Sequence, residues 1–154
     1  MVAFLCIGNY FYNHLNEQQM ATKIFVNLPV KDLNKSKTFF EGLGFTFNPQ
    51  FSDENAACMV ISDAIFAMLL TEPYFATFTQ KPISNAHEST EVLIALDAAS
   101  REEVQQTVAK AKELGATIYK DAADHGWMYQ HSFADLDGHQ WELAYMDETQ
   151  FPAS

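Results

Sequence analysis

The chain has 154 residues, of which 48% are hydrophobic and 19% are charged. This composition is typical of one globular domain or of two half-sized modules sharing a core, and it excludes a disordered chain. Twenty acidic residues against nine basic ones give a net charge of −11, so nucleic acid is not expected as a partner. The two cysteines, Cys6 and Cys58, are not spaced as Cys-x-x-Cys, which favours a reducing compartment and predicts a cytoplasmic location.

The first residues differ in composition from the rest of the chain. The apolar run from Val2 to Ile7 is short and has neither a basic flank nor a cleavage site, so it does not predict a signal peptide. No stretch approaches the roughly 20 apolar residues that cross a bilayer, so no membrane partner is expected. Recognisable patterns begin after Met20, and residues 1–21 are therefore interpreted as an N-terminal extension.

The first patterned unit predicts a strand, a helix and a hairpin. Apolar and β-branched residues from Lys23 to Val30 predict a strand, and Asp32 is a suitable N-cap for a helix that runs through Leu43. Two extended apolar segments, Cys58 to Ile61 and Ile65 to Leu70, flank a Ser-Asp-Ala turn and predict a hairpin.

The same order of elements recurs from residue 91. A strand is predicted over Val92 to Leu96, and Ser100 with Glu103 forms a capping box that opens a second helix. An extended segment follows at Thr117 to Lys120, and the last hairpin turns around residues 137–138. Matching Asp32 with Asp97 and Asp63 with Asp137 favours a duplication. The predicted organisation is a module at 22–75, a linker at 76–89, a second module at 90–147 and a tail at 148–154.

Two motifs carry a family resemblance. Val30-Lys31-Asp32-Leu33, Ser36, Phe39-Phe40 and Leu43-Gly44-Phe45 resemble the opening motif of vicinal-oxygen-chelate proteins, which include glyoxalases, bleomycin-resistance proteins and extradiol dioxygenases. Phe133-Ala134-Asp135-Leu136-Asp137-Gly138-His139-Gln140-Trp141-Glu142-Leu143 resembles the closing hairpin of that family. The resemblance implies an α+β fold of two tandem βαβββ modules, which form a curled mixed sheet around a concave cleft.

Strand alternation predicts which side chains face this cleft. On the last strand Trp141, Leu143 and Tyr145 share the packing face, which leaves Glu142 on the cleft side. On the first strand Phe25 and Asn27 alternate with the packing residues and are also expected to face the cleft.

Metal-binding relatives place ligands at positions that match Phe25, Met68, Glu91 and Glu142. A phenylalanine has no lone pair to offer and a thioether is a poor ligand for hard divalent ions, so only Glu91 and Glu142 remain as metal ligands. The two glutamates are expected to lie close together in the cleft and to serve as the catalytic pair if the protein is an enzyme. A divalent metal is the less favoured alternative, and no organic cofactor is expected.

Two functions follow from the resemblance. The first is a cleft that binds a small organic molecule, with metal-assisted lyase or isomerase chemistry as one form of it. The second is a metal-free protein that sequesters a cationic aromatic compound. The predicted substrate-binding residues are Phe25, Asn27, Met68, Trp127 and Tyr129, of which the last two belong to a loop suited to closing over a ligand.

Two further expectations remain. His139 is interpreted as a solvated turn residue. The oligomeric state stays open, although relatives often form dimers and the exposed edges of two curled sheets favour a homodimer.

Overall fold

The computed structural model describes residues 21–151 and contains two βαβββ units. The predicted N-terminal extension, apart from its last residue, and the end of the predicted tail lie outside the described residues. The first unit comprises β1 (Ile24–Val30), α1 (Leu33–Gly42), β2 (Thr46–Asn48), β3 (Ala56–Val60) and β4 (Ile65–Thr71). A short helix α2 (Glu72–Phe75) leads to the second unit, which comprises β5 (Leu93–Asp97), α3 (Arg101–Glu113), β6 (Ala123–Asp124), β7 (Met128–Ala134) and β8 (Gln140–Met146).

Both long helices begin at the residues that the sequence predicts. The Asp32 carboxylate accepts a hydrogen bond from the backbone N–H of Lys35 at 3.1 Å. The Ser100 hydroxyl accepts one from the N–H of Glu103 at 3.1 Å, and the Glu103 carboxylate accepts from the N–H of Ala99 at 2.6 Å. These bonds satisfy donors that a helix N-terminus otherwise leaves unpaired, which explains where each helix starts.

Each unit forms its own four-stranded mixed sheet. The strand order is β1-β4-β3-β2 in the first sheet and β5-β8-β7-β6 in the second. In each sheet the first strand runs parallel to the last, and the two remaining pairings are antiparallel. The repeated topology confirms the predicted fold class of paired βαβββ modules.

One hydrophobic core joins the two modules. The Phe40 ring of α1 lies 5.2 Å from the Trp141 ring of β8, and the Phe39 ring lies 6.1 Å from the Phe133 ring of β7. All four side chains are at most 3% exposed. The helix of the first module therefore packs against the sheet of the second, and neither sheet buries its apolar face alone.

The N-caps correct the predicted alignment of the two modules. The structural counterpart of Asp32 is Ser100, because these two residues cap equivalent helices. The prediction that Asp97 matches Asp32 is therefore wrong by three positions. Asp97 ends β5, where it pairs with Ala144. Single acidic residues before a helix are weak landmarks, since Ser and Asp serve equally well as caps.

Two segments differ from their predicted structures, which were a linker and an extended segment. Residues Ala76–Phe78 form a turn of 3-10 helix directly after α2. The predicted extended segment at residues 117–120 contributes one isolated bridge, in which Thr117 pairs with Ala134 of β7. Among residues 21–151, no helix has both the length and the apolar character needed to cross a bilayer.

Candidate functional site

Each sheet has an outer face, defined here as the face turned away from α1 and α3. Side chains alternate along a strand, and directly paired residues of neighbouring strands point to the same side. Leu28 and Leu143 are buried on the helix side, which places their strand neighbours Asn27 and Glu142 on the outer faces. The predicted alternation, which puts Phe25, Asn27 and Glu142 opposite the packing residues of their strands, therefore agrees with the structure.

Strand pairing aligns four outer-face residues across the first sheet. Asn27 pairs with Met68, Met68 with Cys58, and Cys58 with Asn48. We call these four residues the module 1 row. Cys58 is 1% exposed, and burial raises the pKa of its thiol, so the thiol stays protonated at neutral pH. The row therefore consists of two amides, a thioether and a buried thiol, and it carries no charge.

The second sheet has an equivalent row of different chemistry. Ala95 pairs with Glu142, and Glu142 pairs with Ser132. The bridge between Thr117 and Ala134 places Tyr119 next to Ser132 at the far side of the sheet. We call Ala95, Glu142, Ser132 and Tyr119 the module 2 row. Glu142 carries the only formal charge in the two rows.

The pKa of the Tyr119 phenol depends on two other members of this row. Burial raises its pKa, a hydrogen bond with Ser132 opposes the shift, and the negative charge of Glu142 adds to it. Tyr119 therefore remains neutral and keeps its hydroxyl proton. Ser132 is 3% exposed, so the row is partly withdrawn from solvent. Two hydroxyl groups and one carboxylate thus lie on the same strip of the sheet.

An aromatic pair lies beside the module 1 row. The rings of Phe25 and Phe66 are stacked with centroids 4.9 Å apart and planes at 13°. Phe25 is 52% exposed and Phe66 only 9%. The ammonium group of Lys23 lies 5.5 Å from the centre of the Phe66 ring. This side of the molecule therefore offers an exposed ring, and it already holds a cation against an aromatic face.

The structure does not bring Glu91 and Glu142 together as predicted. The register of β5 and β8 places Ala95 beside Glu142, and Glu91 lies four residues earlier in the chain. One oxygen of the Glu91 carboxylate lies 2.5 Å from Nδ1 of His139. Alignment of the helix caps makes Leu93, not Glu91, the counterpart of Phe25. The pairing failed because it counted back from Asp97, which is not a helix cap.

His139 is buried and is not a solvated turn residue. Its side chain is 1% exposed, and its second ring nitrogen, Nε2, lies 2.7 Å from the carbonyl oxygen of Pro29 in β1. Burial lowers its pKa, but the charge of Asp135, the bond to Pro29 and the Glu91 carboxylate together raise it above the usual value. Burial also raises the pKa of Asp135, which accepts a hydrogen bond from the indole of Trp141 at 3.0 Å. The sequence around His139 has the pattern of a turn, and no local feature shows that this side chain is buried against the first module. The network could therefore not be predicted from the sequence.

Tyr129 lies on the helix side of the second sheet, and Trp127 lies beside the end of β8. Tyr129 pairs with Tyr145. Its hydroxyl accepts a hydrogen bond from the Gln105 side chain of α3 at 3.3 Å. The backbone N–H of Asp147 donates to the Trp127 carbonyl at 2.7 Å. We therefore leave Tyr129 out of the outer-face set, because its ring faces α3.

The loop that contains Trp127 is attached to α3. The Arg101 guanidinium bonds the Asp124 carboxylate at 2.5 Å and also donates to the carbonyl of Gly126. The hydrogen bond from Arg101 lowers the pKa of Asp124, so the pair is fully ionised at neutral pH. The Trp127 ring packs edge-on against Phe151, with centroids 5.2 Å apart. These contacts hold the loop at the helix, which differs from the predicted loop closing over a ligand.

The residues of the outer faces do not fit a divalent metal. The two first-strand positions that the cap alignment makes equivalent are Phe25 and Leu93, and neither has a donor atom. Met68 offers only a thioether, which leaves Glu142 as the single charged ligand. In the part of the chain that the structure describes, no three His, Cys, Asp or Glu side chains come together as a metal site would require. The outer faces therefore lack a complete ligand set for a divalent ion.

Two cavities are lined by other residues than those of the two rows. One of about 170 Å³ is lined by residues of the α3 N-terminus and the β8 end, including Arg101 and Tyr145. The other, of about 310 Å³, lies between residues 83–86 and the β7–β8 turn and is lined by Pro29, Asp137 and His139. Neither cavity contains a member of the two rows.

Comparison with known proteins agrees with the fold. A family model described as bleomycin resistance protein-like N-terminal matches residues 22–62. The sequence matches no curated protein. A hypothetical protein from S. aureus is 32% identical, with a TM-score of 0.70 over 82% of this chain and 95% of that chain.

More distant structures share the same architecture. A glyoxalase/bleomycin resistance protein/dioxygenase family enzyme from Burkholderia phytofirmans is 16% identical, with a TM-score of 0.66 over 79% of this chain and 96% of that chain. The fosfomycin resistance protein FosX from Listeria monocytogenes is 21% identical, with a TM-score of 0.59 over 79% of this chain and 90% of that chain. Together with the repeated βαβββ topology, these matches show that the chain has the fold shared by glyoxalase, bleomycin-resistance and dioxygenase proteins, and that its first module resembles the N-terminal part of bleomycin-resistance proteins.

Proposed function

We propose that this protein binds a small organic cation with an aromatic ring on the outer faces of its two sheets, without a metal. The observation that carries the proposal is the isolated charge of Glu142 within two rows of otherwise uncharged side chains. A carboxylate in such surroundings is best neutralised by a positively charged ligand, because no lysine or arginine belongs to either row.

Other side chains of the outer faces suit the rest of such a ligand. The Phe25 ring is exposed and stacked on Phe66, so a second aromatic ring has a flat apolar surface to cover. The ammonium of Lys23 against the Phe66 ring supports the affinity of this surface for cations. Ser132 and Tyr119 beside Glu142 supply hydroxyl groups that orient the polar end of the ligand.

Binding is tested with a charged probe and a nearly isosteric neutral probe. N-methylquinolinium carries a permanent positive charge, whereas quinoline is uncharged at neutral pH. We expect the wild-type protein to bind N-methylquinolinium more tightly in calorimetric titration. Glu142→Gln should weaken that binding about tenfold, which corresponds to about 1.4 kcal/mol, and should leave quinoline binding unchanged.

The control for this experiment is an equal change of charge elsewhere. Glu113→Gln removes one negative charge from the exposed end of α3 and should alter neither affinity. Equal affinity of the wild-type protein for both probes would contradict the proposal. So would an equal loss of N-methylquinolinium affinity in Glu113→Gln, because the effect would then reflect net charge alone.

The alternative function is that of a metal-assisted lyase or isomerase, in which Glu142 serves as a metal ligand or base. The relatives named as glyoxalase-related enzymes are the reason to test it. We expect protein purified without a chelator to lack stoichiometric Ni, Zn, Fe or Mn in elemental analysis. A stoichiometric ion that is lost in Glu142→Gln would favour the enzyme over the binding protein.

A second copy of the chain is the expected cover for these faces. Phe25 and Leu93 begin the outer faces of the two first strands and are 52% and 53% exposed. Large apolar side chains that are exposed on a sheet face are typical of surfaces that a partner covers. We expect a homodimer in sedimentation velocity at micromolar concentration, and Phe25→Ser should shift it towards monomer. A wild-type protein that is monomeric throughout would contradict this expectation.

A further inference from the structure

We propose that His139 is a positioning residue that aligns the module 1 row with the module 2 row, and thereby sets the affinity of the outer faces for their ligand. The inference rests on the proposed function for its effect on binding. Its effect on the geometry of the two modules is independent of that function.

The position of His139 in the chain connects it to both rows. It directly precedes β8 and lies three residues before Glu142. Its Nε2 atom lies 2.7 Å from the carbonyl oxygen of Pro29. Pro29 lies in β1, two residues after Asn27. One buried ring therefore links the strand that carries Glu142 to the strand that carries Asn27.

The hydrogen-bond geometry requires a proton on both ring nitrogens. A carbonyl oxygen only accepts, so Nε2 of His139 donates to Pro29. Nδ1 lies 2.5 Å from a carboxylate oxygen of Glu91, and an ionised carboxylate also only accepts. The imidazolium form satisfies both partners, and the two bonds together fix the plane of the ring. A side chain with one donor group satisfies only one of the two.

The surrounding turn reinforces this connection. The Asp137 carboxylate accepts from the backbone N–H of Lys31 and from the hydroxyl of Ser36, both at 2.8 Å. Asp135 accepts from the backbone N–H of His139 at 3.0 Å. The β7–β8 turn is thus bonded to the first module at the C-terminal end of β1 and at the start of α1. Of these residues, His139 is the one that directly precedes β8, the strand that carries Glu142 of the module 2 row.

Glu91 has a supporting role in this arrangement. It precedes β5 and meets a histidine that precedes β8, so their bond joins the starts of two parallel neighbouring strands. The bond holds the ring from the side opposite Pro29. Loss of the Glu91 charge should loosen the ring while leaving the bond to the Pro29 carbonyl in place. This predicts a smaller effect for Glu91→Gln than for His139→Gln.

The test measures the arrangement of the modules and the binding affinity separately. Spin labels at Thr38→Cys and Gln106→Cys, on exposed positions of α1 and α3, report the distance between the modules when Cys6 is replaced by serine. His139→Gln should broaden or shift the distance distribution and weaken N-methylquinolinium binding about tenfold. Glu91→Gln should produce a smaller change of both, in the same direction.

The control is His125→Gln, which replaces an exposed histidine and should change neither measurement. Circular dichroism and urea unfolding establish that each variant is folded under the assay conditions. An unchanged distance distribution in His139→Gln and Glu91→Gln would overturn the positioning role, whatever happens to binding. If the wild-type protein does not bind N-methylquinolinium, the proposed function fails, and the distance measurement still decides the role of His139.

Discussion

A pair of glycine substitutions tests how tightly the chain between the modules packs on the β7–β8 turn. Gly138 and Gly44 have nearly the same backbone conformation, with φ values of +94° and +98°. An added Cβ at Gly138 would lie 2.7 Å from the backbone nitrogen of His87 and 2.8 Å from the carbonyl carbon of Ala86. An added Cβ at Gly44 meets nothing within 4 Å.

The expected magnitudes follow from these two environments. Alanine in a left-handed conformation costs about 1 kcal/mol at either position. At Gly138 the backbone of residues 86–87 must also move, and such overpacking costs about 1–3 kcal/mol more. We therefore expect Gly44→Ala to lower the free energy of unfolding by about 1 kcal/mol and Gly138→Ala by about 2–4 kcal/mol.

Urea unfolding monitored by tryptophan fluorescence measures both values. The transition midpoint should fall in both variants with little change in slope, since neither substitution alters the surface exposed on unfolding. Equal destabilisation of the two variants would refute the reasoning. It would mean that residues 86–87 do not rest against the turn in solution.

Three further predictions concern the pH dependence, the core and a helix cap. The pKa of His139 is raised in the folded state, so its stabilisation is fully present below the ordinary histidine pKa of about 6.5 and is lost as the pH rises through the folded value. The free energy of unfolding should therefore be higher below the ordinary histidine pKa than above the folded pKa of His139. This difference in stability should be smaller in His139→Gln, and an unchanged difference would contradict the prediction. Phe40→Ala should lower the free energy of unfolding by about 3–5 kcal/mol, because the ring is 1% exposed and contacts Trp141. The control Phe51→Ala removes a ring that is 62% exposed and should change the free energy of unfolding by less than about 0.5 kcal/mol in thermal unfolding. Ser100→Ala removes the N-cap of α3 and should lower the free energy of unfolding by about 1 kcal/mol in the same assay. An unchanged value would contradict the role of Ser100 as the cap.

The individual elements were predictable because their signals are local. The cap residues Asp32 and Ser100 satisfy helix donors in their own chain segment, and alternation along β8 fixed the faces of Trp141 and Glu142. Ser132 was also within reach of prediction, since the hairpin around residues 137–138 pairs it with Glu142. Tyr119 was not, because its place beside Ser132 depends on an isolated bridge outside any regular strand.

The errors concern side chains whose partners lie far away in the sequence, so that no local pattern shows the contact. Glu91 was assigned to the cleft with Glu142, whereas its carboxylate bonds His139. His139 was interpreted as solvated, whereas the first module covers it. Tyr129 was assigned to a ligand loop, whereas its ring faces α3.

The sequence by itself determined the starts of the long helices, the repeated order of elements and the fold class, because capping, alternation and turn chemistry act over a few neighbouring residues. Only the tertiary structure decided which polar side chains share a surface and which are buried between the modules. That decision depends on strand register and on the packing of α1 against the second sheet, and a shift of two residues along a strand moves a carboxylate by about 7 Å. Such a shift separates Glu142, on the outer face of β8, from Glu91, whose carboxylate bonds the buried His139.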